Sequence, residues 1–357
     1  MRYNRLLTLL LATISSLTAS AQDFDHMLAS TQHVVFVDSI VVNKNDLLSA
    51  YLLNDDAGTL QPFNKFFKSD AEPFSIVYLN QLGNKCFYTQ NNRLYTSDMI
   101  GKQWSKPAPV EGLGLFQRMN YPYMLADGMT FYFAAIGDEG LGGLDIYVSR
   151  YDSETGKFLK AENIGMPFNS EANDYMYAID ETDSIGYYAT DRRQPEGKVC
   201  IYSFIPNKTR LIYSTEQYDE ATIRSRAALN SIADTWGNGK SRLQALARIG
   251  QLRDGAKKKA ESEFNFVVDD NHVYTKFSDI RNAENRQRMK QLLEMKQKYE
   301  QLDSELDKAR RFYGKASQQD RPSLSSEILD YEQEQLRMQS DIRQMERMIR
   351  QTEQSSH

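Results

Sequence analysis

A block that recurs three times between about Glu72 and Tyr213, with a period of roughly 50 residues, constrains the fold of this chain more than any other feature. Each copy holds an aromatic run, an apolar-Tyr pair, and a small polar turn residue followed by Lys. The first reads Cys86-Phe87-Tyr88-Thr89, Leu94-Tyr95, Gly101-Lys102, and the second Phe131-Tyr132-Phe133-Ala134, Ile146-Tyr147, Gly156-Lys157. The third reads Tyr187-Tyr188-Ala189-Thr190, Ile201-Tyr202, Asn207-Lys208. Aromatic and β-branched residues suit a half-buried pleated face, and the Gly, Asn, Asp and Ser clusters between them supply turns. A repeat of this length with several β-rich runs is the pattern of propeller blades rather than of an enzyme core. Function is therefore expected in surfaces and partners.

The first 21 residues carry Arg2 and Arg5, an apolar stretch from Leu6 to Leu17, and the small-residue site Ala19-Ser20-Ala21 ahead of Gln22. That order is expected of a secretory signal peptide cleaved between Ala21 and Gln22. No later apolar run approaches the ~18 residues of a membrane span, so no transmembrane segment is expected and the mature chain should be soluble outside the cytoplasm. With 43 Lys+Arg against 48 Asp+Glu the chain is acidic, and its densest basic run, Lys257-Lys258-Lys259, reads as a solvated helix face. A nucleic-acid partner is not expected. Cys86 and Cys200 lie inside apolar strand patterns of different repeats, which suits buried free thiols; a disulfide between them stays the alternative in an exported chain, though strands of non-neighbouring blades rarely come close enough.

Around the repeats the pattern changes twice. Val34-Val35-Phe36-Val37 and Ile40-Val41-Val42 flank Asp38-Ser39 and predict a strand pair or one long bent strand. From about Asp219 the period shifts toward 3.6: Ile223, Ala227, Leu229 and Ile232 suit one helix, Trp236-Gly237-Asn238-Gly239 breaks it, and Leu243, Leu246, Ile249 and Leu252 mark a second. A hairpin pattern returns at Phe264 to Val268 and Val273 to Phe277. Beyond it, Leu292, Met295, Tyr299, Leu302, Leu306, Ala309 and Tyr313 form one heptad seam. Ile328, Tyr331, Gln335, Met338, Ile342, Met345 and Ile349 form another, across a break at Gly314 to Ser323. An antiparallel helical hairpin is expected, with pairing to a second copy as the alternative.

The expected fold class is therefore mainly β plus α: a signal peptide at 1–21, β-propeller-like repeats at 22–213, a helical insertion at 214–262, a β-hairpin returning to the propeller at 263–280, and a coiled-coil helical hairpin at 281–357. Three repeats fall short of the typical four to eight blades. The segments near 34–48 and 264–277 are expected to supply further strands.

Chemistry-bearing patterns are sparse. His26, His33, His272 and His357 have no metal-ligand spacing, so no metal is expected. No nucleophile elbow, phosphate-binding loop or dinucleotide fingerprint occurs, and neither catalytic residues nor a cofactor are expected. Gly140-Leu141-Gly142-Gly143 leads into a strand and reads as a tight turn. Thr96 to Trp104 approximates the Ser-x-Asp-x-Gly-x-x-Trp box of sialidase propellers, a turn motif remote from their catalytic centre. Arg192-Arg193 reads as a solvated loop between blades, and Tyr121, Tyr123, Tyr175 and Tyr177, at matching offsets, as blade packing.

Gly142-Gly143-Leu144-Asp145-Ile146-Tyr147-Val148-Ser149, Asn163 to Ser170, Asn173-Asp174 and Tyr187 to Arg192 together resemble the TolB-type, WD-repeat-like propeller repeat of exported bacterial proteins. Similar propellers occur in periplasmic proteins of bacteria with the type IX secretion system, fused there to a tetratricopeptide region and an outer-membrane-protein-A-like domain. This chain shows neither addition. The resemblance implies a non-catalytic scaffold in the periplasm or outer-membrane periphery of a Gram-negative bacterium. Its partners would be envelope proteins, outer-membrane or secretion components among them, or a glycan, with homo-oligomer formation through the hairpin as a further option. The alternative is a carbohydrate-binding or glycan-hydrolysing propeller. The same lineage attaches O-glycans at Asp-(Ser/Thr)-aliphatic triplets, which implies Ser39 and Ser184 as acceptors in Asp38-Ser39-Ile40 and Asp183-Ser184-Ile185.

Overall fold

Each of the three repeats folds into an antiparallel sheet of its own in the computed structural model, which describes residues 25, 27–269 and 272–355. The expected signal segment, with Ala21 and Gln22, lies outside the described residues. The first sheet runs in hydrogen-bonded order through Thr59–Pro62, Ile76–Leu79, Lys85–Gln90, Arg93–Ile100 and Gln103–Trp104, and Ala108–Pro109 also pairs with Arg93–Ile100. The second runs through Lys157–Phe158, Asp145–Asp152, Thr130–Ile136 and Arg118–Met124, with Glu162–Asn163 also on Asp145–Asp152. The third runs through Val35–Asn43, Lys198–Ile205, Ile185–Thr190 and Asp174–Asp180. The protein is thus mixed β and α.

Turn chemistry fixes the registers. Asn91 and Asn92 both take positive φ (50° and 61°), as a two-residue hairpin between right-twisted strands requires. Between Arg118–Met124 and Thr130–Ile136, Gly128 sits at φ 67° while Asp127 Oδ1 accepts from the backbone N–H groups of Met129 and Thr130. In the third sheet the same place is held by Ser184 at φ 52°, with Asp180 Oδ1 accepting from Asp183 N–H.

The sheets are packed by rings. Phe87, Phe131, Phe133, Tyr147 and Phe158 belong to one buried cluster; Phe36, Phe168, Tyr177, Tyr188 and Phe204 belong to another. Each fully buried large apolar side chain contributes roughly 1.5–3 kcal/mol. Polar contacts add direction. The Asn120 side chain, 3% exposed at the start of the second sheet, donates to Phe74 O and accepts from Ile76 N–H of the first sheet.

Val35–Asn43 is one bent strand, with a register shift between Phe36 and Asp38, and it supplies the fourth strand of the third sheet. Its early half is covered by a 3₁₀ turn at Ile232–Thr235 together with Trp236 and Arg242. Thr235 Oγ1 accepts from Phe36 N–H, Trp236 Nε1 donates to Phe36 O, and Arg242 Nε donates to Val37 O.

The helices include α1 (Phe63–Phe67), α2 (Glu220–Ala227) and α3 (Lys240–Ala260). The expected single helix through Ile232 is broken because Leu229 turns left-handed at φ 50°; Ile232 belongs to the separate 3₁₀ turn. Along α3, Ala245 and Ile249 are buried while Leu243 is 65% exposed, so the packed face is displaced from the apolar stripe read from sequence.

The chain divides into two compact units after Ala256. In the second, Phe266–Asp269 pairs with His272–Tyr274, and the described residues of this hairpin form a two-stranded sheet of their own. Phe264, Phe266, Val268 and Tyr274 bury their side chains with Met289, Leu292 and Ile349 of α4 (Ala283–Lys315) and α5 (Arg321–Gln354). Those two helices form an antiparallel hairpin within one chain, ~50 Å along each arm. Its rungs run in order: Asn285 to Glu353, Lys296 to Glu346, Asp303 to Gln335 and Arg310 to Glu332.

Glu353, fully buried, closes the base of the hairpin by accepting from Asn285 Nδ2, Tyr274 Oη and the N–H groups of Arg281 and Asn282. Burial opposes its ionisation, yet these donors hold its pKa below the ordinary value of 4.5. Replacing Glu353 by Ala should destabilise this unit by about 3 kcal/mol, because four donors lose their acceptor. Urea unfolding followed by circular dichroism at 222 nm checks the loss. The wild-type contribution should fade as pH falls through 4.5, the direction required of a carboxylate with a depressed native pKa.

Candidate functional cleft in the first unit

The strand Asp145–Asp152 begins with a carboxylate among Leu144, Ile146 and Tyr147, and that side chain is fully buried. The glycines before it permit close approach. A Cβ on Gly140 would lie 2.5 Å from Asp145 Oδ2, one on Gly142 2.2 Å from Glu171 O, and one on Gly143 2.2 Å from Asn173 Oδ1. The Gly-rich stretch is therefore a strap pressed against its neighbours. Asp145 Oδ2 accepts from Leu141 N–H, while Oδ1 has no hydrogen-bond partner.

Beside it stands Asp174, also fully buried, at the start of Asp174–Asp180. It accepts from Ser170 N–H and Oγ and from Tyr188 Oη. Arg192 completes the cluster: its Nη2 donates to Tyr188 Oη and Pro167 O, its Nη1 to Ala227 O, and it approaches Asp174 Oδ1 to 3.9 Å. Only 8% exposed, Arg192 is no solvated loop residue, which corrects the sequence expectation. Its Nε lacks a partner. In a nearby triangle Asn173 donates through its N–H and Nδ2 to Asp191, and Tyr175 Oη donates to the same carboxylate.

Burial, and then the charge of Asp174, raises the Asp145 pKa to about 7. Burial raises Asp174 to about 6, against the opposing pull of Arg192. Neither carboxylate is exposed to solvent. What does reach solvent is an adjoining cavity of about 820 Å³. Leu28, Met166, Ala227 and Leu141 give it an apolar floor, with Arg192 among them. Its exposed rim carries Arg193, Arg224 and Glu171.

Two local devices place the rim arginines. Arg193, at φ 57°, donates to Ala228 O, Leu229 O and Asn230 Oδ1, satisfying carbonyls that α2 leaves open at its C-terminal end. Arg224 is held by Glu220 one turn earlier at 2.7 Å. Apolar floor and cationic rim together make a binding geometry.

The other sequence candidates fall elsewhere. Ser39 is exposed on Val35–Asn43 and Ser184 at an exposed turn. Tyr123, Tyr175 and Tyr177 are buried. In the sialidase-like stretch Gly101 makes the turn at φ 64°, but Asp98 reaches Lys85 at 2.7 Å. Cys86 and Cys200 are free and buried, and burial raises both thiols, Cys86 to about 12, which disfavours the reactive thiolate. Among the described residues no group of three or more His, Cys, Asp or Glu could hold a metal ion, and no helix is long and apolar enough to cross a membrane. Asp145 and Asp174 escaped the sequence reading as a pair. The signal was there: each is a lone acid at the head of an apolar strand. No protein-family model and no curated protein matches the chain.

The carboxylate pair gives stability a defined pH slope. Folded Asp145 and Asp174 bind protons more tightly than their unfolded forms, so the folded state gains as pH falls from about 7 toward 3.8 and loses as pH rises across that window. Asp145→Asn should remove much of this slope and raise stability at pH 8 relative to wild type by on the order of 2 kcal/mol. Urea midpoints of both proteins at pH 5 and pH 8 measure it; parallel slopes would assign the pH dependence to other groups.

Proposed function

We propose that this chain is a non-catalytic, exported scaffold of the bacterial cell envelope, in which a propeller-like repeat domain holds a partner and the helical hairpin adds a second contact surface. The observation that carries this reading is how the buried charges are used. Asp145, Asp174 and Arg192 hold loops and strands in place, and the surface beside them is an apolar-floored cleft with Arg193, Arg224 and Glu171 on its rim. In this reading the three sheets are three blades, an arrangement short of a closed ring. Export and an envelope setting rest on the N-terminal sequence and on the resemblance of the middle repeat. The glycan alternative draws less support, because Tyr123, Tyr175 and Tyr177 are buried and offer no stacking platform.

On the hairpin, Leu329 and Leu336 are 54% and 66% exposed, two helical turns apart on one stripe of α5. Apolar side chains of this size left in solvent on an otherwise charged helix suit a contact. Crosslinking and pull-down from native envelope should recover a specific protein with the wild-type chain, and Leu329→Asp/Leu336→Asp should lose it while melting at an unchanged temperature. Equal recovery by the double variant would leave the hairpin a purely internal support. Sugar release from envelope glycans by the purified protein would overturn the non-catalytic assignment.

A further inference from the structure

We infer that the cleft beside α2 is a binding site for an aliphatic carboxylate, an unbranched apolar chain ending in one anionic head. The site depends neither on the hairpin nor on any protein partner. A volume of about 820 Å³ lies within the range of small-molecule sites and exceeds what a ten-carbon chain fills. The floor dictates the body of the ligand. Leu28, Met166 and Ala227 are buried members of one apolar cluster that also packs Leu141, and all four face the cavity. Against these four side chains an alkyl chain gains by leaving water, whereas a sugar's hydroxyls would lose hydration without hydrogen bonds from the floor itself.

The cationic groups dictate the head. Three arginines line the cavity against one acid, Glu171, in a protein whose formal net charge is −5. The charge of Arg224 is shared with Glu220, and that of Arg192 with Asp174. Arg193 differs. Its hydrogen bonds all go to neutral oxygens of Ala228, Leu229 and Asn230, so its positive charge faces the rim without a carboxylate. A guanidinium in that state binds a carboxylate through charge-assisted hydrogen bonds. Arg192 strengthens the bias from below, being 8% exposed with its Nε unpartnered.

Calorimetric titration of the full-length protein with decanoate tests the site. Saturable one-to-one binding is expected, with decanol at least tenfold weaker because it lacks the charge. Octanoate should lose about fourfold per methylene removed. Arg193→Gln should weaken decanoate by about five- to tenfold, Arg224→Gln by less because Glu220 already shares its charge, and both should leave decanol unchanged. Since Arg193 also caps α2, melting curves accompany each variant, and Ala221→Trp provides a second route: this exposed rim position can take a bulky side chain that occludes the cavity. It should abolish decanoate binding in a folded protein. A decapeptide ending in Leu, with free or amidated C-terminus, serves as the competing carboxylate: preference for decanoate supports the unbranched chain, and preference for the free-acid peptide would overturn it. No saturation by decanoate up to 1 mM, equal affinity for decanol, or undiminished binding to Ala221→Trp would likewise overturn the assignment.

Discussion

A hydrogen-bonding side chain buried at the head of each sheet's repeat strand is the constraint on which the first unit depends. Ser75 takes this place in the first sheet, Asn120 in the second and Asp174 in the third, each with at most 4% exposure. Ser75 Oγ donates to Thr89 O and accepts from Thr89 N–H across one hairpin. Asn120 reaches from the second sheet to the backbone of the first. Asp174 gathers Ser170, Tyr188 and Arg192, and its own N–H donates to Leu144 O of the second sheet's loop. Apolar packing alone is non-directional and would let twisted sheets slide; these contacts fix one arrangement at the cost of desolvating polar atoms. The cost rises along the series, and at Asp174 it is a full carboxylate that requires a guanidinium nearby.

The cleft is a by-product of that requirement. Arg192 must stay buried to face Asp174, so its neighbour Arg193 is turned out at positive φ and reaches the end of α2. The chain thereby sets a second cation at the edge of an apolar hollow. Structural demand and ligand chemistry share two adjacent residues, which explains why Arg192-Arg193 reads as an ordinary loop in sequence.

Patterning was legible where it was periodic and local. The aromatic repeat announces three sheets, and the heptad seams announce α4 and α5, because each rests on neighbours a few residues apart. The interruption between those helices is shorter than its breakers suggest: Pro322 fits the first turn of α5, where its missing N–H costs nothing. Long-range choices were illegible. Nothing around Phe264 to Phe277 says whether that hairpin joins the repeat sheets or the hairpin helices, since its apolar face suits either. The pairing of Asp145 with Asp174 and Arg192 likewise depends on loops meeting across the fold, which no spacing in the sequence encodes.

The strand Val35–Asn43 has a temporal consequence. Its partner, Lys198–Ile205, lies at the far end of the repeats, so the third sheet joins the beginning of the described chain to residues made much later. At synthesis rates of about 5–20 residues per second, the early strand waits roughly 10–30 s before its partner exists. During that interval its unpaired backbone and its Phe36, Ile40 and Val41 side chains are open to wrong pairings. The third sheet is therefore the last of the three repeat sheets to become whole, and the cleft that leans on it cannot form before the chain has passed residue 230.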